Sequence, residues 1–192
     1  ALPILAFGSR GHGGKKAPAA HYEPDNIVIN LTKKSGAGSL AHEWFHAIDN
    51  YFSRNRGNQY GYVTEFPQKR DSYTKDGVTE DPTRKEMLDA FNGIMQAIKS
   101  TGLEKRSKIQ DKTRTKKYWS TKIEMAARAF ENFIIETLQD NSGSNDYLAN
   151  IVSQEHWDEL TGDGQEGSYP YLVKDEMPAV KMAFQNFFET IK

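Results

Sequence analysis

The segment from Ser39 to Ser53 constrains this chain more than any other. Ala41, Phe45, Ile48 and Phe52 recur at helical spacing, and Trp44 and Tyr51 widen the stripe. That pattern predicts an amphipathic helix with one face buried, and Ser39 stands where an N-cap belongs. His42-Glu43-Trp44-Phe45-His46, an H-E-x-x-H sequence, lies on the same segment. Side chains four apart sit on one helix face about one turn apart, so two imidazoles can turn nitrogens toward one ion. Glu43, beside the first imidazole, can reach a water on that ion. Nitrogen and oxygen ligands with one position left open make a catalytic zinc site. The plain alternative is a helix with two solvent-facing histidines.

Composition narrows the choices further. The chain has no cysteine, which excludes a disulfide scaffold, a thiol nucleophile and a thiolate metal site. A metal here must be held by histidine and carboxylate. A length of 192 residues is that of a single domain, 1–192, with a real core. The 11% aromatic content argues against disorder, and a net charge of -1 excludes a globally basic nucleic-acid binder. No apolar run approaches the ~18 residues of a membrane span. No basic region precedes the apolar start, so no signal peptide is expected and the expected location is cytoplasmic. The first residue is Ala, and the domain is read as cut from a longer protein.

Charge is unevenly spread. Residues 104–122 hold eight Lys or Arg against two acids, and residues 140–176 hold nine acids against one Lys. Short strands are expected at Leu5–Phe7 and, more firmly patterned, at Ile27, Val28, Ile29, Asn30 and Leu31. Gly11, Gly13 and Gly14 mark a loop, and residues 54–81 read as loop. Helices are expected over 82–100, 120–138 and 178–191, with a weaker pattern over 146–160. The fold class is therefore α+β, helix-rich with a small sheet near the N-terminus.

Two histidines need a third protein ligand. The candidates are Asp49, His12, His21, His156, Glu124 and Glu131. Asp49 is close in chain to His46 and is better placed to hold a ligand imidazole or a neighbouring loop. Glu124 is the strongest candidate. It shares a helix face with Arg128 and Glu131, next to the apolar stripe of Ile123, Ala127, Phe130 and Ile134, and small Ala126 and Ala127 would admit a close helix. The alternative is a solvated Glu124–Arg128 pair four residues apart.

Several runs resemble one family. Ala6-Phe-Gly-Ser-Arg-Gly, Ala20-His-Tyr-Glu-Pro, Val28-Ile-Asn-Leu-Thr and Gly36-Ala-Gly-Ser-Leu-Ala-His-Glu-Trp-Phe-His-Ala-Ile-Asp look like the large polyvalent protein-associated metallopeptidase-like domain of phages, plasmids and integrative conjugative elements. Tyr118-Trp-Ser and Glu124-Met-Ala-Ala-Arg-Ala-Phe-Glu are similar to its second motif, and to the helix that carries the third zinc ligand in the anthrax lethal factor group of gluzincins. The resemblance implies a zincin-like fold with His42, His46 and Glu124 on one zinc ion and Glu43 as base. It further implies that Tyr118 assists the reaction. Arg128 stands where the lethal factor group has an acidic residue. The implied activity is zinc-dependent peptide-bond hydrolysis on a protein or peptide substrate.

Two further expectations concern partners. Strand 27–31, directly before the metal helix, is expected to form a free sheet edge that pairs with an extended substrate. The chain could instead be a catalytically silent zinc-binding module. Nucleic acid could bind the basic stretch, with Tyr118 and Trp119 as stacking residues.

Overall fold

Short β-branched runs and long amphipathic helices each have an apolar side to bury, and the chain layers them on one another. The computed structural model describes residues 3–8, 18–33, 35–55, 57–65, 73–75, 78–80, 84–161 and 167–192, with 73–75 and 78–80 described by backbone alone. Strands β1 (Ile4–Phe7), β2 (Ala20–Glu23) and β3 (Val28–Leu31) form one sheet, and β4 (Tyr73–Lys75) and β5 (Val78–Glu80) pair separately. The helices are α1 (Leu40–Arg54), α2 (Lys85–Lys99), α3 (Leu103–Asp111), α4 (Lys122–Asp140), α5 (Gln154–Thr161) and α6 (Met177–Ile191). The fold is α+β, as expected. No helix among the described residues is long and apolar enough to cross a membrane.

The four strongly periodic helices fall within three residues of their expected limits. Helix α3 escapes the pattern because its nine residues are mostly charged and bury little beyond Leu103 and Ser107. Strand β2 escapes it because four residues, Ala-His-Tyr-Glu, carry too short an alternation. A 3-10 turn at Val63–Glu65 and the β4–β5 pair lie in the segment read as loop. Helix α5 is shorter than expected and buries no residue. His12 and the glycines beside it lie outside the described residues.

The expectation of a free edge at 27–31 is overturned. The strand order is β1-β3-β2, with β3 parallel to β1 and antiparallel to β2. Ile4 and Gly8 donate to the carbonyls of Ile27 and Leu31 on one side, and Thr32 donates to Ala19 on the other. Val28, Ile29, Asn30 and Leu31 are all buried. A run apolar on both faces is the mark of a middle strand, where no alternation with solvent is needed. Ile27 is outside the strand, with a left-handed φ of 52° that a β-branched residue rarely adopts.

Helix α1 lies between this sheet and the other helices, packing on β2 and β3 with one side and on α4 with the other. The main core joins Phe45 of α1, Phe91 of α2, Phe130 and Phe133 of α4, and Phe184 and Phe187 of α6. Phe45 stacks on Phe130 with centroids 5.2 Å apart, and Phe184 meets Phe130 edge-on at 5.4 Å. Ala41, Ala126 and Ala127 are fully buried in the same cluster. A smaller cluster of Ala20, Tyr22, Ile29, Leu31 and Ala47 seats the sheet on α1.

Because β3 is internal, Asn30→Pro should cost folding itself. Proline removes a ladder donor in a strand paired on both sides. Circular dichroism should show a cooperative loss of structure, and a folded Asn30→Pro protein would contradict the middle-strand placement.

Candidate metal centre

Helix α1 presents His42 and His46 one turn apart at the margin of its buried face, and the two rings meet edge-on with centroids 4.7 Å apart. Helix α4 meets them with its first turn. Thr121 caps α4 by accepting from the Glu124 backbone N–H, which holds that turn in place. The Glu124 carboxylate then faces both rings, with Oε2 3.2 Å from His42 Nε2 and Oε1 3.5 Å from His46 Nε2. The three ligand atoms all lie within 4.8 Å of one another. A tetrahedral zinc site with bonds near 2.1 Å separates its ligand atoms by about 3.4 Å. The residues therefore fit a zinc ion. Glu124 Oε2 is buried, and apart from the His42 ring it has no hydrogen-bond partner among the described residues, as suits a ligand atom aimed at a cation.

The surroundings complete the centre. Glu131, two turns beyond Glu124, is buried and accepts from His42 Nδ1 at 3.1 Å. A carboxylate on the far nitrogen sets the tautomer and leaves Nε2 free to bind. Burial alone would lower His42, but the carboxylates of Glu131 and Glu124 outweigh it and push its pKa well above the usual imidazole range. Burial pushes Glu124 up, and its hydrogen bonds with His42 and His46 reverse this and hold it ionised. Burial raises the Glu43 carboxyl against the opposing pull of His46 and His42, and the Tyr22 backbone N–H of β2 bonds to it. The sheet edge beside Glu43 is therefore β2, not β3.

The remaining expected residues sort as follows. Asp49 is no ligand: it accepts from the Thr64 backbone N–H at 3.1 Å and from the Thr64 hydroxyl, fixing the neighbouring loop to α1. Burial pushes it up to about 6 despite those bonds. His21 bonds Glu23 at 3.0 Å, and exposed His156 faces Glu159, so neither joins the metal group. Arg128 is not a solvated partner of Glu124. It is 1% exposed, donates to the carbonyls of Pro170 and Trp119 and to Ser107, and lies over the Trp119 ring. Tyr118 stands beside Glu124, and burial together with that carboxylate raises its phenol pKa, which keeps the proton on.

Three residues are missing from the sequence reading. Asn50 accepts from the Tyr22 hydroxyl at 3.0 Å and donates to the carbonyls of Gln59 and Gly61. Tyr62, carried by that loop, meets the His46 ring edge-on at 6.0 Å. Asp111 closes the loop before α4, accepting from the backbone N–H groups of Tyr118, Trp119 and Ser120 at 2.9, 3.0 and 2.9 Å and from the Ser120 hydroxyl at 2.6 Å. Asp49-Asn50 carried a partial signal, as paired polar residues in an apolar helix. Tyr62 and Asp111 carried none, since their partners come from tertiary contact.

Over residues 110–192 the chain is similar to large polyvalent protein-associated domain 1, whose family model matches there. Over that stretch the resemblance expected from the motifs holds for a large polyvalent protein-associated domain, and the match does not extend to a metallopeptidase. The matched stretch includes Glu124, Arg128 and Glu131 but not the His42–His46 helix. Neither the curated proteins nor the solved structures contain a match.

Two outcomes follow. Glu131→Ala should weaken zinc binding about 10–100-fold in a chelator competition, with Glu124→Ala weakening it far more. Equal affinities for Glu131→Ala and the unaltered protein would remove the carboxylate–imidazole link. Burial raises Asp111, but its four hydrogen bonds outweigh this and hold it down at about 2. A depressed carboxylate stabilises above its unfolded pKa of about 3.9 and loses that contribution as pH falls toward 2. The stability gap between the protein and Asp111→Asn should be constant above about pH 5 and shrink between pH 4 and 2 in denaturant titrations.

Proposed function

We propose that this protein is a zinc-dependent metallopeptidase, with His42, His46 and Glu124 holding the ion and Glu43 as general base. The observation that carries the reading is the convergence of two imidazole Nε2 atoms on one carboxylate from a second helix, at 3.2 and 3.5 Å. Zinc bound there would supply a Lewis acid that makes water acidic and polarises a carbonyl.

The chain's own groups account for the proton movements. Glu43 is buried one residue from His42, and its raised pKa brings it nearer the working range of a base that takes and returns a proton at neutral pH. It takes a proton from the attacking water and passes it to the leaving amine. Tyr118 keeps its phenol protonated and donates to the oxyanion that develops on the carbonyl oxygen. Glu131 holds the His42 ring, and Asp111 holds the loop that ends in Tyr118.

Glu43→Gln should keep one zinc per chain and lose hydrolysis of a mixed peptide library by about 10²-fold or more. His42→Ala and His46→Ala should lose both metal and hydrolysis. Near-unaltered cleavage by Glu43→Gln would refute the mechanism. Zinc retention with no cleavage by the unaltered protein would leave a silent metal-binding module. Tyr118→Phe should keep zinc and lower turnover by about 10²-fold with KM little changed. Unaltered turnover would make Tyr118 a surface aromatic.

A further inference from the structure

Much of the basic stretch is neutralised by its own neighbours. Arg106 pairs with Glu176 and donates to the carbonyls of Tyr169 and Tyr171, Lys108 pairs with Glu104, and Lys122 reaches the Glu65 carbonyl. Lys112, Arg114, Lys116 and Lys117 differ. All four are exposed, and no hydrogen-bond or ion-pair partner of their side chains occurs among the described residues. They occupy six consecutive positions that hold no acid.

These four cations sit on a constrained loop. Asp111 ties its base to residues 118–120. The Arg114 guanidinium lies over the Tyr118 ring at 5.0 Å. The Thr121 hydroxyl donates to the Tyr118 carbonyl at 2.9 Å and caps the turn that carries Glu124. The loop therefore leads directly into the metal centre. Thr113, Arg114, Thr115 and Lys116 line a shallow hollow of about 380 Å³. Exposed cations beside such a hollow suit a carboxylate.

We propose that loop 112–117 is a subsite for acidic side chains of a peptide lying across the metal centre, an inference that rests on the peptidase reading. A nucleic-acid strand fits less well. Stacking needs open aromatic faces, and one face of Tyr118 is covered by Arg114 while one of Trp119 is covered by Arg128. Exposed cations act by steering and by several weak pairs at once, so the preference is salt-sensitive.

The test is binding, read apart from cleavage. A fluorescein-labelled peptide of alternating Glu and Ala, and its Gln counterpart, are titrated by anisotropy into the zinc-loaded Glu43→Gln protein. The Glu peptide should bind about tenfold tighter at low salt, from two or three exposed charge pairs, and lose that advantage near 1 M salt. Combined Lys112→Gln, Arg114→Gln, Lys116→Gln and Lys117→Gln should abolish the difference while zinc content stays at one per chain. If that variant misfolds, the salt series on the unaltered loop still decides. Equal affinity for the two peptides overturns the subsite, whether or not any peptide is cleaved. Tighter capture of an oligothymidylate than of the Glu peptide, lost in the same variant, overturns it in favour of nucleic acid. Selective Glu-peptide binding without hydrolysis by the unaltered protein supports the subsite and removes the peptidase reading.

Discussion

The packing of α1 on α4 is the contact on which the rest of the molecule depends. Phe45 and Trp44 stack on Phe130, and buried Ala126 and Ala127 leave room for the approach. That apolar seam sets the register in which His42 and His46 of α1 meet Glu124 and Glu131 of α4. Each residue turns a helix by about 100°, so a slip of one position would carry Glu124 away from both imidazoles. The same geometry explains Glu131. Seven residues make nearly two full turns, about 10 Å along the axis, so Glu124 and Glu131 share a face and address opposite nitrogens of His42. Arg128, between them in sequence, turns aside to the carbonyls of Pro170 and Trp119.

Burying this many ionisable groups together carries an electrostatic cost. Glu43, Glu131 and Asp49 are all at most 7% exposed, and the Glu124 side chain is 15% exposed. Carboxylates withdrawn from water must find donors or cations. Thr64 serves Asp49, the Tyr22 backbone serves Glu43, and the imidazoles serve Glu124 and Glu131. In the proposed zinc site the ion would take the place of the proton between His42 and Glu124, with the same buried residues as its ligands.

Loops around the centre are held by short polar side chains that accept or donate two or more hydrogen bonds each. Asp49 and Asn50 secure residues 59–64, which bring Tyr62 to His46. Asp111 secures residues 118–120, which bring Tyr118 to Glu124 and leave the four cations of loop 112–117 facing outward. Rigid placement of loop side chains is what a hydrolytic site requires of its oxyanion donor and of any substrate subsite.

Local pattern alone settled the strongly amphipathic helices, the strand at Val28–Leu31 and the pair His42 and His46, because a 3.6-residue period and a four-residue spacing act within one element. Absence of cysteine settled that any metal must use histidine and carboxylate. Glu124 was readable as a candidate because it borders an apolar stripe. Tertiary structure alone brought the Glu124 carboxylate onto both imidazoles, placed Glu131 behind His42, and turned Arg128 inward. It also put β3 in the middle of the sheet, because a continuous apolar run does not say which strands will flank it. These outcomes share one cause. Ligand geometry, hydrogen-bond partners and strand order depend on which elements meet across long stretches of chain, and the packing of apolar faces decides that meeting.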